Sequence, residues 1–317
     1  MKQKLYLWIE DYLFFPNTFQ KIISFLLLPL TFIYMLIILI KRAMAKEIHF
    51  GIPIISVGNL IVGGSGKTPI TIKLASKYEN ICVILRGYGR ASKGLFVVSQ
   101  NGKILIDVKT SGDEAMLLAK SLKKATIIVS ENRIKAILKA KELGCKIIFL
   151  DDGFSKYQIA KFNILLRPKD EPTNIFCLPS GGYREPKGFY AQADIELLEA
   201  SDFKRVITIK KDNKESQLPS KTLLITAISK PKRLLEYLPK NIEMISFPDH
   251  YDFTSEDIKN IKEKYSNYSF LTTGKDFVKL EKFKLKDLYL MDLDIKIDEK
   301  VDFSLMNEYI KSFNKGV

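Results

Sequence analysis

Apolar and polar positions change period several times along the chain. Between residues 47 and about 200, short apolar runs such as ICVIL, ATIIVS, KIIFL, FNILL and ADIELL alternate with helix-period stretches at 113–124 and 131–143. Strand-length runs separated by helices predict an α/β fold with a mostly parallel sheet and helices on both faces. From about 202 a second set, RVITI, TLLITA, IEMISF and YSFLTT, is spaced by the helical PKRLLEYL and SEDIKNIKEKY, which predicts a second, smaller α/β unit. The expected organisation is a segment over 1–46, an α/β domain over 47–201 and a smaller α/β domain over 202–317. No internal repeat or low-complexity tract interrupts it.

A third pattern lies ahead of these. Residues 22–40, IISFLLLPLTFIYMLIILI, carry no charge, and as one helix at about 1.5 Å per residue they would extend roughly 28 Å, close to the hydrocarbon thickness of a bilayer. Tyr6, Trp8 and Tyr12 precede the run in an interfacial mixture with charges, and Lys41, Arg42 and Lys46 follow it. These features predict an N-terminal membrane helix, with Pro29 tolerated as it is in membrane segments. A buried core helix is the alternative. The AMA at 43–45 has the small residues of a cleavage site, but acids ahead of the run and basic residues behind it argue against a removed secretory signal. Pattern alone leaves open a full span or insertion into one leaflet; the basic flank puts the following domain on the cytoplasmic side.

Composition adds a preference for anions. The 317 residues carry 50 Lys and Arg against 36 Asp and Glu, a formal net charge of +14, so nucleotides, nucleic acid and acidic headgroups are all attracted. Lysines of the second half are mixed with acids and lack the Arg and aromatic interleaving of a nucleic-acid strip, which argues against nucleic acid. No segment points to an obligate protein partner. Cys82, Cys145 and Cys177 sit in or beside apolar runs without CxxC spacing, which fits buried thiols in a reducing compartment and excludes a disulfide framework.

The chemistry is concentrated at a few punctuated segments. PIISVG (53–58) reads as a strand, and GGSGKT (63–68) leads into a helix. Glycines let backbone N–H groups turn toward phosphate oxygens, the helix N-terminus adds positive potential, Lys67 reaches the outer phosphates and Thr68 offers a hydroxyl to magnesium. Ile61, Val62, Gly63, Gly64, Ser65, Gly66, Lys67 and Thr68 are therefore the candidate nucleotide-binding residues. The strict P-loop spacing asks for glycine where Ile61 stands, so this is a variant. A P-loop also needs a metal-facing acid at the end of a neighbouring strand, and KIIFLDDGF supplies Asp151 and Asp152. With Thr68 they form the candidate metal set.

Other segments are ambiguous on pattern alone. RGYGR (86–90) suits a tight turn or a phosphate-facing loop, and LPSGGYREP carries Arg184 and Glu185. SGDEAMLL reads most simply as a capping box between Ser111 and Glu114, with Asp113 in the first helical turn. His250 lies between acids in FPDHYDF, where a lone loop histidine is ordinarily solvated.

Taken together, SVGNLIVGGSGKTP, RGYGR, GDE, LDDGF, REP, FPDHYDF and TTGKD occur in an order that resembles the tetraacyldisaccharide 4′-kinase (lipid A 4′-kinase) family over essentially the whole chain. That family shares the variant P-loop. The resemblance implies ATP-dependent phosphorylation of the 4′-hydroxyl of a tetraacyl glucosamine disaccharide 1-phosphate, with magnesium, at the cytoplasmic face of the inner membrane, so the partners are a membrane glycolipid and the bilayer. Carried over by motif, it implies that Asp113 is a general base or proton-network acid, that His250 is its partner and that Lys67 stabilises phosphate charge. Thr68, Asp151 and Asp152 would surround magnesium, and Arg86, Tyr88, Arg184 and Glu185 would line the cleft. Ser155, Lys156 and Gly274 depart from the family's D-D-G-F-Q-H and TEKD patterns. A membrane-anchored ATPase or binding module without a lipid acceptor is the competing class. A regulatory GTPase is disfavoured because N-K-x-D is missing, and a soluble kinase because of residues 22–40.

Overall fold

The computed structural model describes residues 2–63, 66–228 and 231–313. Two compact units are interleaved along the chain: one comprises Met1–Lys67, Ile137–Lys204 and Ile297–Val317, the other Thr68–Ala136 and Arg205–Lys296.

The first unit is organised around the strand Ile54–Gly58, all five residues of which are buried. It runs parallel between the strands Ile147–Asp151 and Phe162–Arg167, and the latter pairs in parallel with Ile195–Leu198. β-branched residues dominate the central strand, as a strand covered on both faces demands. Register sets Val57 opposite Asp151 and Gly58 opposite Leu165, so the carboxyl ends of three parallel strands finish together. Ligand sites in open parallel sheets form at that edge.

Residues 22–40 do not form one helix. Helices Thr18–Leu26 and Leu28–Ala43 meet at a 57° bend, and no single helix among the described residues is long and apolar enough to cross a membrane. Pro29 is the physical cause. It lies in the first turn of Leu28–Ala43, the third helix after Lys2–Phe14 and Thr18–Leu26, where a missing N–H is harmless, but its ring cannot continue the preceding helix. Leu27 ends the second helix by donating its N–H to Ile23 O, and its own carbonyl takes the N–H groups of Leu30 and Thr31.

The polarity of these helices is inverted. Gln20, Ser24 and Thr31 are buried, whereas Phe19 (65%), Leu26 (74%) and Phe32 (69%) are exposed, together with Ile22, Phe25, Ile33 and Leu36. The buried side is held by hydrogen bonds to the 174–184 loop. Thr31 Oγ1 donates to Ser180 Oγ at 2.7 Å and accepts from Ser180 N at 3.0 Å, Ser24 Oγ donates to Ser180 O, and Tyr34 OH donates to Arg184 O at 2.9 Å. Arg42, expected in a basic flank, instead stacks over Phe154, Tyr157 and Phe189.

In the second unit, Ile81–Leu85 runs parallel to Thr126–Val129, which on its other side pairs antiparallel with Phe96–Gln100. A separate six-stranded sheet takes every strand from Phe203 to Ile297, and its Glu243–Ser246, Thr222–Thr226, Ser269–Thr273 and Leu288–Ile297 strands are successive parallel neighbours. The expected α/β architecture with mostly parallel sheets is therefore present.

Replacing Thr31 by Val should leave Ser180 N–H buried without an acceptor, at a cost of about 1–3 kcal/mol. Urea unfolding of the full chain measures it; undiminished stability would mean that this polar seam does not hold the helices down.

Candidate active site

The phosphate turn grows out of the end of Ile54–Gly58. Gly58 is required there, because a Cβ would come within 2.8 Å of Phe154 Cβ. Beyond it the chain is fastened to the REP loop: Arg184 N donates to Leu60 O at 2.7 Å, Val62 N donates to Gly182 O at 2.9 Å, and Ile61 forms a bridge with Tyr183. Ile61, where a strict P-loop has glycine, packs in a core with Leu60, Phe154 and Tyr183. The turn is thus anchored by apolar burial at its first residue. Gly63 (φ +92°) and Gly66 (φ +83°) adopt left-handed conformations that free them to aim backbone N–H groups. Gly64 and Ser65 lie outside the described residues. Lys67 opens the helix Lys67–Ala75, in which Thr68 is buried.

Charges at this edge are tightly arranged. Lys67 Nζ donates to Asn59 Oδ1 at 2.9 Å and stands 3.7 Å from Asp152 Oδ1. Arg184 grips both Asp152 oxygens, at 2.8 and 2.9 Å, and also reaches Asn59 Oδ1 at 2.6 Å. A planar guanidinium suits such two-point recognition of a carboxylate. Asp152 is left-handed at φ +58°, with its N–H on Val57 O, while Asp151 is buried at the strand end. Glu185 is buried beside this cluster, hydrogen-bonded to Tyr157. Burial pushes its carboxyl above the ordinary range, against the Tyr157 hydrogen bond and the nearby Arg184, Arg42 and Lys161 charges.

Within the second unit, Asp113 and His250 meet, 137 residues apart in sequence, with His250 Nδ1 3.0 Å from each Asp113 oxygen. Local backbone makes this meeting possible. Gly112, at φ +85° and ψ 157°, occupies a conformation that belongs to glycine and turns the short helix Val108–Ser111 into Asp113–Ser121. The carboxylate of Asp113 therefore lies in the first turn, where the helix dipole favours negative charge. His250 is itself left-handed (φ +59°), with its N–H on Ala227 O at 3.1 Å. Gly89 of RGYGR leaves room for the ring, since a Cβ there would sit 2.9 Å from His250 Cβ. Of the other RGYGR side chains, Arg86 stacks over the Tyr88 ring at 5.1 Å, while Arg90 pairs with Glu131 and lies over the Phe96 ring.

The capping-box expectation for Ser111 and Glu114 is not met. Gly112 is the N-cap and offers no side chain, Ser111 Oγ donates to Gly112 O, and Glu114 N is taken by Asp113 Oδ1 at 2.8 Å. The glycine needed for the turn has taken the cap position.

Electrostatics separate the paired groups in opposite directions. The hydrogen bond that the His250 ring gives to the Asp113 carboxylate raises the His250 pKa above its ordinary 6.5 against the opposing effect of burial. Burial works to raise Asp113, but the His250 hydrogen bond and the His250, Lys275 and Lys279 charges outweigh it and hold the carboxyl below 3.8. Lys275 is paired with Glu114, and Lys279 Nζ lies 3.5 Å from Asp113 Oδ2. Reading the sequence missed both lysines. Their only signal is TTGKD, where Thr273 accepts from Asp276 N and starts a helix that carries Lys275 and Lys279 on one side.

A family profile described as Tetraacyldisaccharide-1-P 4′-kinase matches residues 23–310. The chain belongs to this family. It is 75% identical to the tetraacyldisaccharide 4′-kinase of Aliarcobacter butzleri over 99% of this chain and the whole of that one, and 46% identical to that of Helicobacter acinonychis over 96% and 95%. The crystal structure of LpxK from Aquifex aeolicus, described as an apo form in complex with ATP, superposes with a TM-score of 0.74 at 28% identity, covering 92% of this chain and 99% of that one. For a tetraacyldisaccharide 4′-kinase, the departures have local accommodations here. Lys156 closes a turn through its N–H to Gly153 O, and its carbonyl accepts from Lys161 at 2.8 Å. Gly274 allows close approach to Leu117, whose Cδ1 would be 3.1 Å from a Cβ.

The pKa directions fix a pH window. The His250 contribution to stability is complete below about 6.5 and is lost as pH rises through its higher folded value. The Asp113 contribution is present above about 3.8 and is lost as pH falls through its lower folded value. Asp113→Asn should therefore lower the His250 midpoint, because burial is then opposed only by the weaker attraction of Asp249. Imidazole NMR titration reads this directly, as the chain has 2 histidines; an unchanged midpoint would dissolve the pair.

Proposed function

We infer that the protein is an ATP-dependent lipid kinase that phosphorylates the 4′-hydroxyl of a tetraacyl glucosamine disaccharide 1-phosphate, producing the bis-phosphorylated lipid A precursor. The full-length correspondence with tetraacyldisaccharide 4′-kinases carries this reading and disfavours an ATPase without a lipid acceptor.

Phosphoryl transfer demands positioning and charge neutralisation more than covalent chemistry. The turn at 61–68 holds the triphosphate, with Lys67 against the outer phosphates. The acceptor oxygen bonds to the γ-phosphorus as the bond to the bridging β–γ oxygen breaks, and ADP leaves with that electron pair. The hydroxyl proton passes to Asp113, which His250 orients and whose proton it can relay. Lys67 and backbone N–H groups offset charge spreading over the γ-oxygens.

Thr68, Asp151 and Asp152 provide an all-oxygen donor set, the kind a small hard dication accepts. These three are assigned to hold magnesium, and Arg184 fixes Asp152 by gripping both of its oxygens. When bound there, magnesium would supply positive charge that offsets the charge of the phosphates. Arg86 and Tyr88 are assigned to the acceptor, and Glu185 to support of Arg184.

Membrane association rests on the bent helix pair. A contiguous set of exposed Phe, Leu and Ile side chains over polar groups tied into the protein is the arrangement of an interfacial element. It keeps the enzyme at the cytoplasmic face of the inner membrane, where a four-chain acceptor resides.

Lys67→Ala should lower turnover by about 10²-fold or more, measured as transfer of labelled γ-phosphate to the glycolipid; a 4′-deoxy acceptor should receive none. Near-normal turnover in that variant would remove the P-loop assignment, and phosphate passed only to water would restore the ATPase. Phe32→Glu combined with Leu36→Glu should weaken co-sedimentation with anionic vesicles while the fold is retained. Unchanged sedimentation would place lipid contact elsewhere.

A further inference from the structure

The TTGKD segment takes no part in the mechanism above, yet it supplies the most completely buried charges of the second unit. Asp276 is fully buried. Its Oδ2 accepts from Thr226 Oγ1, Ala227 N and Thr273 Oγ1, each at 2.9 Å. Its Oδ1 lies 2.9 Å from the Nζ of Lys279, one helical turn further on. That ammonium is 6% exposed, rests 5.4 Å from the centre of the Phe253 ring and stands 3.5 Å from Asp113 Oδ2. Ala227, held by Asp276 through its N–H, accepts the backbone N–H of His250 through its carbonyl. Both members of the Asp113–His250 pair are therefore referenced to one buried carboxylate, His250 through Ala227 and Asp113 through Lys279.

We propose that Lys279 is a positioning residue for phosphoryl transfer: its ammonium, held by Asp276, keeps the Asp113 carboxylate ionised and aligned on His250 while His250 gains and loses a proton. This rests on the assignment of Asp113 and His250 as the proton-accepting pair. Desolvating an ammonium costs several kcal/mol unless carboxylates surround it. Lys279 is in ion-pair range of two of them but has no well-aligned hydrogen bond. Such a charge is better placed to set a field than to stabilise a fold. It also lines a cavity of about 220 Å³ with Gly89, Gly112, Asp113 and His250.

The need for this charge follows from the proton cycle. When His250 is neutral, a buried Asp113 has lost the cation that offsets its desolvation and would tend to take up a proton. Other charges facing Asp113 are Asp249 of the His250 loop, Glu114 of its own helix, and Lys275 and Asp276 of the TTGKD helix. Lys109 and Asp252 also line the cavity. Lys275 is engaged by Glu114, which leaves Lys279 as the cation shared between Asp113 and Asp276. Asp113 and His250 titrate as a coupled pair, so a nearby positive charge lowers the pH at which the pair gives up its proton.

The test compares kcat/KM against pH for wild type, Lys279→Met and Lys279→Arg, using the full chain in detergent with ATP, magnesium and the tetraacyl disaccharide 1-phosphate. In Lys279→Met the acidic limb should move to higher pH by about one unit or more, the low end for a charge removed within about 4–6 Å. Lys279→Arg should keep the limb near wild type, and KM for ATP should stay within about twofold in both. A uniform fall in rate with an unmoved limb would overturn the proposal, since a purely structural lysine would do that. Should Lys279→Met fail to fold, the His250 NMR midpoint in Lys279→Gln decides: an upward shift supports the role and an unchanged midpoint overturns it. Asp113→Asn is assayed alongside. Full turnover in that variant would remove the proton-acceptor assignment itself, whereas an inactive Asp113→Asn with an unmoved Lys279→Met limb removes only Lys279.

Discussion

The register of one buried strand governs the sheet edge from which the glycine turn before Lys67 leaves. Ile54–Gly58 is paired on both sides by parallel strands, and the pairing of Val57 with Asp151 makes their carboxyl ends coincide. A shift of one residue would send Asp151 and the start of the glycine turn to different levels and reverse the face of every side chain in the strand. Because all five positions are buried, such a shift would also be costly. From this fixed edge the remaining parts extend only a few residues: Asn59, Lys67, Asp152 and the returning Arg184. Their mutual hydrogen bonds form a network in which Asn59 and Asp152 both answer to the same guanidinium. Arg184 also receives Tyr34 OH on its carbonyl, so the residue that fixes Asp152 is in contact with the third N-terminal helix.

Charge in the second unit follows another logic. Asp113, Asp276 and Lys279 are buried, and each would be unfavourable alone in a low-dielectric interior. Together with His250 they compensate one another, and the Asp113 and His250 pKa values are displaced in opposite directions by their shared hydrogen bond. Strain is concentrated here too. Gly112 and His250 both have positive φ, and Gly89 gives up its side-chain volume to the imidazole. Backbone conformations of this kind persist where surrounding structure over-determines them, which the Asp276 hydrogen bonds to Ala227, Thr226 and Thr273 accomplish.

The N-terminal helices reverse the usual relation of polar and apolar surface. Hydrogen bonds from Ser24, Thr31 and Tyr34 anchor them inward, leaving phenylalanine, leucine and isoleucine outward. A helix attached through its polar groups keeps its apolar face outward, and the kink at Leu27 lets both helices lie against the protein. Arg42 completes the attachment by covering three aromatic rings. A cation that pattern alone places in a headgroup flank is thereby turned onto protein.

Much of the protein was legible from its sequence because the determining features are local. Strand-length apolar runs, their alternation with helices, the glycine turn before Lys67 and the acids closing KIIFLDD all follow from period and short-range stereochemistry. The charge-free run at 22–40 was equally plain, but its division was not, since Pro29 can be tolerated within a helix or can end one, and the packing partners of Leu27 and Thr31 decide which. The Ser111 capping box failed for a related reason: the pattern fits, but the approach of Tyr88 and Arg90 to Gly112 selects a backbone in which glycine caps the helix. His250 was singled out only through the family resemblance of FPDHYDF; Lys275 and Lys279 had no distinguishing local context, and neither did the pairing of Arg184 with Asp152. The sequence by itself thus determined the α/β elements and the glycine turn before Lys67; tertiary structure alone decided which buried charges meet, because electrostatic pairing depends on distance in space, and no spacing along the chain encodes that.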